Sequence, residues 1–433
     1  MSLEDLPTEL IAEICEVADK DALMALRLTK KCISRSATKS FSDQFMSSLS
    51  LIMTTPCLQR LIDICEHPFF GPGVRRIFIT LRRMGLCRFK YLVDRCRYFT
   101  KIAGRQSEEV AKARLVLRRC TDRFHDEQAL EKEGGATELL TRAFCALKTW
   151  VSDVELLIVP IYGPHAGAIF LDSNRYEPHD ENAKNNSLTS TLQPCLEATR
   201  INKMGLSKFD VSVRKGWNTD KKLGLDLNLD SFSEEEMKRF SMLRSITFEL
   251  SWSVRYKTKR AMATIVSQAC ELEVLRLSHG DAYWSRYDNI PRQLELSRNA
   301  LQSVKSDRIQ SISLTEILFS EQPLLEFLRL HRNSLRSLRL TSCALHHGSW
   351  SGVISYLQES LPHPSSLKIE RLYDIDSDAR KCLAIAGFGG EEGRECVEGE
   401  EKVQAALSAM IERPLDDPLT PPGDVHDDET LDE

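Results

Sequence analysis

One spacing recurs along most of this chain: an apolar residue, two of any kind, a second apolar residue, one of any kind, and a third. It occurs at Val74-Ile77-Ile79, Val151-Val154-Leu156, Leu206-Phe209-Val211, Leu243-Ile246-Phe248, Leu272-Leu275-Leu277, Ile309-Ile312-Leu314 and Leu335-Leu338-Leu340. Its closing positions alternate, as a strand with one buried face requires. No single row buries much apolar area, so stability must come from stacking one row on the next. Helix-like runs lie between rows, at 258–269, 322–333 and 352–361. Strand and helix therefore alternate, which predicts an α/β fold.

The row is the one that carries each strand of a leucine-rich solenoid. The interval from Leu243 to Leu272 is 29 residues, from Leu272 to Ile309 37, and from Ile309 to Leu335 26. The expectation is thus an irregular leucine-rich-repeat-like receptor domain over 51–390; an ordinary α/β domain with unrelated strands is the alternative. Residues between the apolar positions project from the strand face, which makes Asp210, Thr247, Arg276, Ser313 and Arg339 the candidates for substrate contact.

Three segments break the rhythm. Residues 86–148 are charged and helix-periodic, punctuated by Gly134-Gly135, and predict a helical insertion. Residues 172–195, rich in Asn, Ser, Asp and Pro, predict a surface loop. Residues 391–433 predict an acidic, largely disordered tail, because 412–433 combine four prolines with many acids and offer little apolar area against the entropy of ordering.

The first 50 residues read as a separate module of three short helices. Leu6-Pro7 opens the first, with Leu10, Ile11, Ile14 and Ala18 at helical spacing and Glu9 near its start. Asp21 is the expected N-cap of the second, which carries Leu23 and Leu26 on one side and Met24 and Leu28 on another. Cys32, Ile33, Ser36, Ala37, Phe41 and Phe45 follow at helical spacing. Three such helices bury little alone, so they dock on the rest of the chain or on another protein.

The run from Leu6 through Ile14, with Leu23, Leu26 and Lys30-Lys31, resembles the F-box motif. That resemblance implies a module docking on a Skp-type adaptor and, through it, on a cullin scaffold. Leu6, Pro7, Leu10, Ile11, Ile14, Leu23 and Leu26 would form or support the adaptor-facing surface. Ala18, Thr29 and Ile33 stand where the family usually has a larger apolar residue, Val and Trp, and each removes apolar bulk or an aromatic anchor. Residues 331–340 with Gly348-Ser349-Trp350 and Leu357, and 67–72 before Val74-Arg75-Arg76, resemble the receptor half of fungal F-box proteins. The implied function is a non-catalytic substrate receptor of a cullin-based ubiquitin ligase, acting by proximity on an unidentified target protein. A scaffold outside ubiquitination and a cryptic hydrolase are the competing classes.

No motif for bond chemistry, cofactor or metal stands out. Cys-x-x-Cys is absent, and Cys343, His346 and His347 lack evident further ligands, so a structural role is expected for them. Gly71-Pro72-Gly73 and Gly163 through Gly167 read as turns, and Asp416-Asp417 sits in the expected tail. The net charge of −5 argues against a nucleic-acid footprint, and Arg75-Arg76, Arg82-Arg83 and Arg118-Arg119 read as solvated surface. The longest strongly apolar stretch, Leu156 to Ile161, is too short to span a membrane. Thirteen cysteines with no secretory leader suit a reducing compartment, cytoplasm or nucleus.

Overall fold

The computed structural model describes residues 3, 6–80, 86–103, 108–159, 168–170, 188–212, 227–250, 256–279, 290–360, 365–375, 382–385, 397–398 and 405. The chain divides into two compact units, residues 1–272 and 273–433. Both are mixed α/β with mainly parallel sheet, and no sheet closes into a barrel among the described residues.

The first unit runs α1 (Thr8–Val17), α2 (Lys20–Leu26), α3 (Lys31–Phe45), β1 (Ser48–Ile52), α4 (Thr55–Glu66), β2 (Arg76–Thr80), α5 (Leu86–Ala103), α6 (Glu108–Glu133), α7 (Gly135–Lys148), β3 (Asp153–Val159), β4 (Ala168–Phe170), α8 (Leu188–Ile201), β5 (Gly205–Ser212), α9 (Glu234–Met237), β6 (Ser245–Leu250) and α10 (Tyr256–Gln268). Its strands lie in the order β4-β1-β2-β3-β5-β6, all parallel. Apart from β4, each strand neighbours the next in sequence. The rows set the register. Leu49, Ile77, Leu156, Phe209 and Ile246 face one another across five strands, as do Leu51, Ile79, Ile158, Val211 and Phe248. All ten are buried, each worth roughly 1.5–3 kcal/mol relative to exposure. The row Met46-Leu49-Leu51 obeys the same spacing but crosses the module boundary expected at residue 50, which therefore falls inside β1.

Helices α4, α7 and α8 pack side by side through Leu58, Leu61, Ile62, Leu140, Phe144, Leu147, Leu192 and Leu196, all buried. The expected insertion is thus helical, but only α5 and α6 pack as a hairpin; α7 takes its place between α4 and α8. Asp126 of α6 ties the hairpin down by accepting the Thr55 N–H at the start of α4 at 2.8 Å. Of the loop expected at 172–195, residues 172–187 lie outside the described residues. Residues 188–195 begin α8, because Leu188, Leu192, Cys195, Leu196 and Thr199 form a buried helical face that outweighs Pro194.

The second unit runs β7 (Val274–His279), α11 (Ile290–Gln302), β8 (Ser311–Thr315), β9 (Leu318–Phe319), α12 (Glu321–His331), β10 (Ser337–Thr341), β11 (Ala344–His346), α13 (Trp350–Ser360), β12 (Ser366–Glu370), β13 (Leu372–Ile375), β14 (Cys382–Ile385) and β15 (Val397–Glu398). Its main sheet has the order β7-β8-β10-β12-β15, parallel except for β15. The rows again meet in register: Leu275, Ile312, Leu338 and Leu367, then Leu277, Leu314, Leu340 and Ile369. A second sheet, β9-β11-β13-β14, follows the first at a repeated corner. Glu316, Ser342 and Arg371 each take a left-handed backbone there, with φ of 58°, 51° and 54°. Their amides stitch the stack: the Glu316 N–H donates to the Thr341 carbonyl and the Ser342 N–H to that of Glu370. Left-handed geometry in three non-glycine residues persists because neighbouring turns hold it. Within the tail expected from 391, residues 397–398 instead form β15 against β12, and the rest except residue 405 lies outside the described residues.

Other local expectations are met or shifted by a few residues. Helices α10, α12 and α13 occupy the three helix-like runs. Gly71 begins a 3-10 turn at 71–73, and a Cβ there would sit 2.4 Å from the Cys65 carbonyl oxygen. Gly163 through Gly167 and Asp416-Asp417 lie outside the described residues.

His331 ends α12 buried, its ring edge-on to Phe327 at 4.7 Å, and neither ring nitrogen has a hydrogen-bond partner among the described residues. Burial holds its pKa below the ordinary 6.5, so the unfolded chain takes up the proton first. The stability it leaves intact above about pH 6.5 drains away as the pH falls through the folded value. His331→Leu should therefore raise stability at pH 7.5 by about 1 kcal/mol and flatten the decline between about pH 6.5 and 5. Urea titrations across that range check both; equal slopes for the two proteins would refute the assignment.

Candidate partner-docking surface

The N-terminal module is built on α3, against which both α1 and α2 pack. Pro7 precedes α1, where its missing N–H costs nothing, and its carbonyl accepts the Ile11 N–H at 3.1 Å. The N-cap of α2 is Asp19, not Asp21: its carboxylate accepts the Ala22 N–H at 2.8 Å, and Asp21 lies in the first turn. Sequence favoured Asp21 because it directly precedes the apolar residues, yet the helix starts one residue after Asp19. Ser34 donates to the Arg27 carbonyl at 2.7 Å, and the Gln44 amide donates to the carbonyls of Glu16 and Cys15 at 2.9 and 3.3 Å. These bonds fasten both helices to α3. Arg27 then lies over Phe41 and Phe70, 4.8 and 5.0 Å from their centroids, and His67 stacks on Phe70 at 4.2 Å. The segment 67–70 is thereby joined to the module.

The structure divides the expected adaptor-facing residues into two groups. Ile11 and Leu23 are buried, forming the module core with Cys15, Ile33, Ala37 and Phe41. They support the surface and cannot themselves touch a partner. Ile33, read as a missing aromatic anchor on that surface, belongs to the same core. Pro7 is exposed, and Leu6, Ile14 and Leu26 are half-buried. Leu10 is 43% exposed and shares a helical stripe with Ile14 and with Val17, which is 87% exposed. Met24 and Leu28, four residues apart, are 48% and 90% exposed. Val17 is the residue that sequence reasoning missed; its i+7 relation to Leu10 was the available signal. Single exposed aliphatics are ordinary surface, but Leu10, Val17, Met24 and Leu28 concentrate within 19 residues around a core that is already closed.

The strand-face candidates also separate. In the first unit, Asp210 is half-buried and paired with Lys208 at 3.1 Å. Thr247 is buried, contrary to its expected projection into solvent. Its register partner is Asp210, and both lie opposite the apolar rows on a face where Ser50 and Phe78 are buried too. In the second unit, Arg276, Ser313 and Arg339 align across β7, β8 and β10, followed by Lys368 on β12. Both arginines are exposed and Ser313 is half-buried.

Cys343 is buried. Burial pushes its thiol up to about 12, and it donates to the Leu314 carbonyl at 3.3 Å. His346 is held below its ordinary range by burial and by His347. No group of three His, Cys, Asp or Glu is placed to hold a metal ion among the described residues, and no described helix is long and apolar enough to cross a membrane. Asp374 accepts the Trp350 N–H at 3.2 Å, capping α13 from another turn of the chain, and burial with the nearby Glu321 raises its pKa. In comparisons with known proteins, the chain matches no family model and no curated relative.

The division into core and surface predicts opposite outcomes for neighbouring leucines. Ile11→Ala or Leu23→Ala should lose about 2–5 kcal/mol of stability in denaturant titration. Leu10→Ala or Leu28→Ala should stay within about 0.5 kcal/mol of the parent. Equal losses at Leu23 and Leu28 would refute the assignment of the exposed stripes.

Proposed function

We propose that the chain is a non-catalytic substrate receptor of a cullin-based ubiquitin ligase. Its N-terminal helices are an F-box module that docks on a Skp-type adaptor, and the body is an irregular leucine-rich-repeat-like solenoid that receives a target protein. The observation that carries this reading is the set of exposed aliphatics on α1, on α2 and in the turn after α2, none of which takes part in the module core. Surface of that kind gains about 25 cal/mol for each Å² buried against a partner. The motif resemblance falls on the same residues, Leu10 and Ile14 among them. The solenoid reading rests on the sequential order of parallel strands in each unit, apart from the edge strands β4 and β15, which suits stacked repeats better than a doubly wound sheet.

Catalysis by such a receptor is catalysis by placement: it raises the effective concentration of a target near a ubiquitin-loaded enzyme. The target-facing residues of the proposal are Arg276, Ser313 and Arg339, with Lys368 now added by register. An F-box-like scaffold acting outside ubiquitination is the competing reading, and adaptor capture separates the two. A Leu10→Asp, Ile14→Asp double substitution should abolish co-purification with a Skp-type adaptor while thermal melting still shows a folded chain. Adaptor recovered at parental yield with the folded double variant would contradict the proposal.

A further inference from the structure

On the strand face of the second unit, Arg276 and Arg339 stand two strands apart with Ser313 between them. Both guanidinium groups are exposed, and neither makes an ion pair among the described residues. The next cation in the row, Lys368, is already paired with Glu370 at 3.2 Å. Flanking positions on the same face, Ser311, Thr315, Ser337 and Thr341, are half-buried and present small hydroxyl side chains. Two unpaired cations set among hydroxyls suit an extended, acidic segment.

The chain carries a strongly acidic segment. Residues 412–433 hold nine acidic side chains against one basic, Arg413. The last described strand before it, β15, pairs with β12 in the sheet that bears the two arginines. Strands are spaced by about 4.8 Å, which puts Arg339 roughly 10 Å and Arg276 roughly 19 Å from β15 across the sheet. Seventeen residues lie between Glu398 and Asp416, and a chain of that length reaches at most roughly 60 Å. The tether is thus long enough to reach the row.

We propose that residues 412–433 dock on the Arg276–Ser313–Arg339 row and occupy it in competition with an outside ligand. Exposed ion pairs are weak one at a time. Tethering supplies an effective concentration on the order of millimolar, so an association that is weak between separate molecules becomes substantial within one chain. The geometry concerns the second unit alone; only its consequence, a segment that competes with a target protein, rests on the receptor reading above.

The test uses the full chain and a fluorescent synthetic peptide of residues 412–433, by anisotropy at about 50 mM salt, where such pairs are least screened. A second full-length chain carries Asp416→Asn, Asp417→Asn, Asp424→Asn, Asp427→Asn, Asp428→Asn and Glu429→Gln. That neutralised chain should bind the peptide about fivefold to tenfold more tightly than the parent, whose own segment occupies the row. Adding Arg276→Gln and Arg339→Gln to the neutralised chain should remove the binding, with circular dichroism unchanged. Equal affinity for parent and neutralised chains overturns the proposal, even if both depend on the arginines, because the row then takes acidic segments without being occupied by its own. Binding that survives the arginine substitutions overturns it as well. Adaptor capture is read separately and is unaffected by any of these outcomes.

Discussion

Everything in this molecule depends on the in-register meeting of buried aliphatic pairs on successive parallel strands. A single strand such as β10 buries two leucines and has no stability of its own. Placed between β8 and β12, Leu338 meets Ile312 and Leu367, and Leu340 meets Leu314 and Ile369. A slip of one residue would turn both leucines to the other face, so the register is fixed by burial. The same constraint holds from Leu49 to Ile246 in the first unit. Once the inward positions are committed in this way, the residues between them are free to vary, and the chemistry of the outer face becomes a local property of each unit.

That freedom is used differently in the two units. The outer face of the first unit buries Ser50, Phe78 and Thr247 and neutralises Asp210 with Lys208. The outer face of the second leaves Arg276 and Arg339 exposed, with no ion pair among the described residues. At the N-terminus the relation between core and surface is reversed: apolar side chains point outward. Leu10, Val17, Met24 and Leu28 remain exposed because Ile11, Cys15, Leu23, Ile33, Ala37 and Phe41 already close the small core. In the proposed function the outward apolar stripes and the outward arginines are the two ends of one device, the first to hold an adaptor and the second to hold a target.

The sequence showed the strands better than their surroundings, for a physical reason. An apolar-x-x-apolar-x-apolar row is local, and the two closing positions of all seven rows read from the chain fall in strands, with the first residue usually just before the strand. The row at Met46-Leu49-Leu51 has the same spacing but follows directly on the helical pattern of 31–45, so that the end of the module and the first strand of the body overlap in sequence. Helix α8 was obscured because Ser, Asn and Pro are turn-forming residues when considered one at a time, whereas the buried face of Leu188, Leu192, Cys195 and Leu196 emerges only at helical period. The burial of Thr247 was not legible at all, since whether a strand's outer face is covered depends on residues distant in sequence. For the N-terminal module, periodicity identified the apolar positions but not which were inside. Assigning Ile11 inward and Leu10 outward required α3 to be in place against them.

In the proposed function the exposed aliphatics of α1, α2 and the turn after α2 form an interface for an adaptor. Hydrogen–deuterium exchange on the full chain, with and without a Skp-type adaptor, reads this directly. The account predicts slowed exchange in the adaptor complex across residues 8–28, with rates in the sheet of the second unit unchanged. Unaltered exchange in α1 and α2 at saturating adaptor, or protection confined to the second unit, would contradict it.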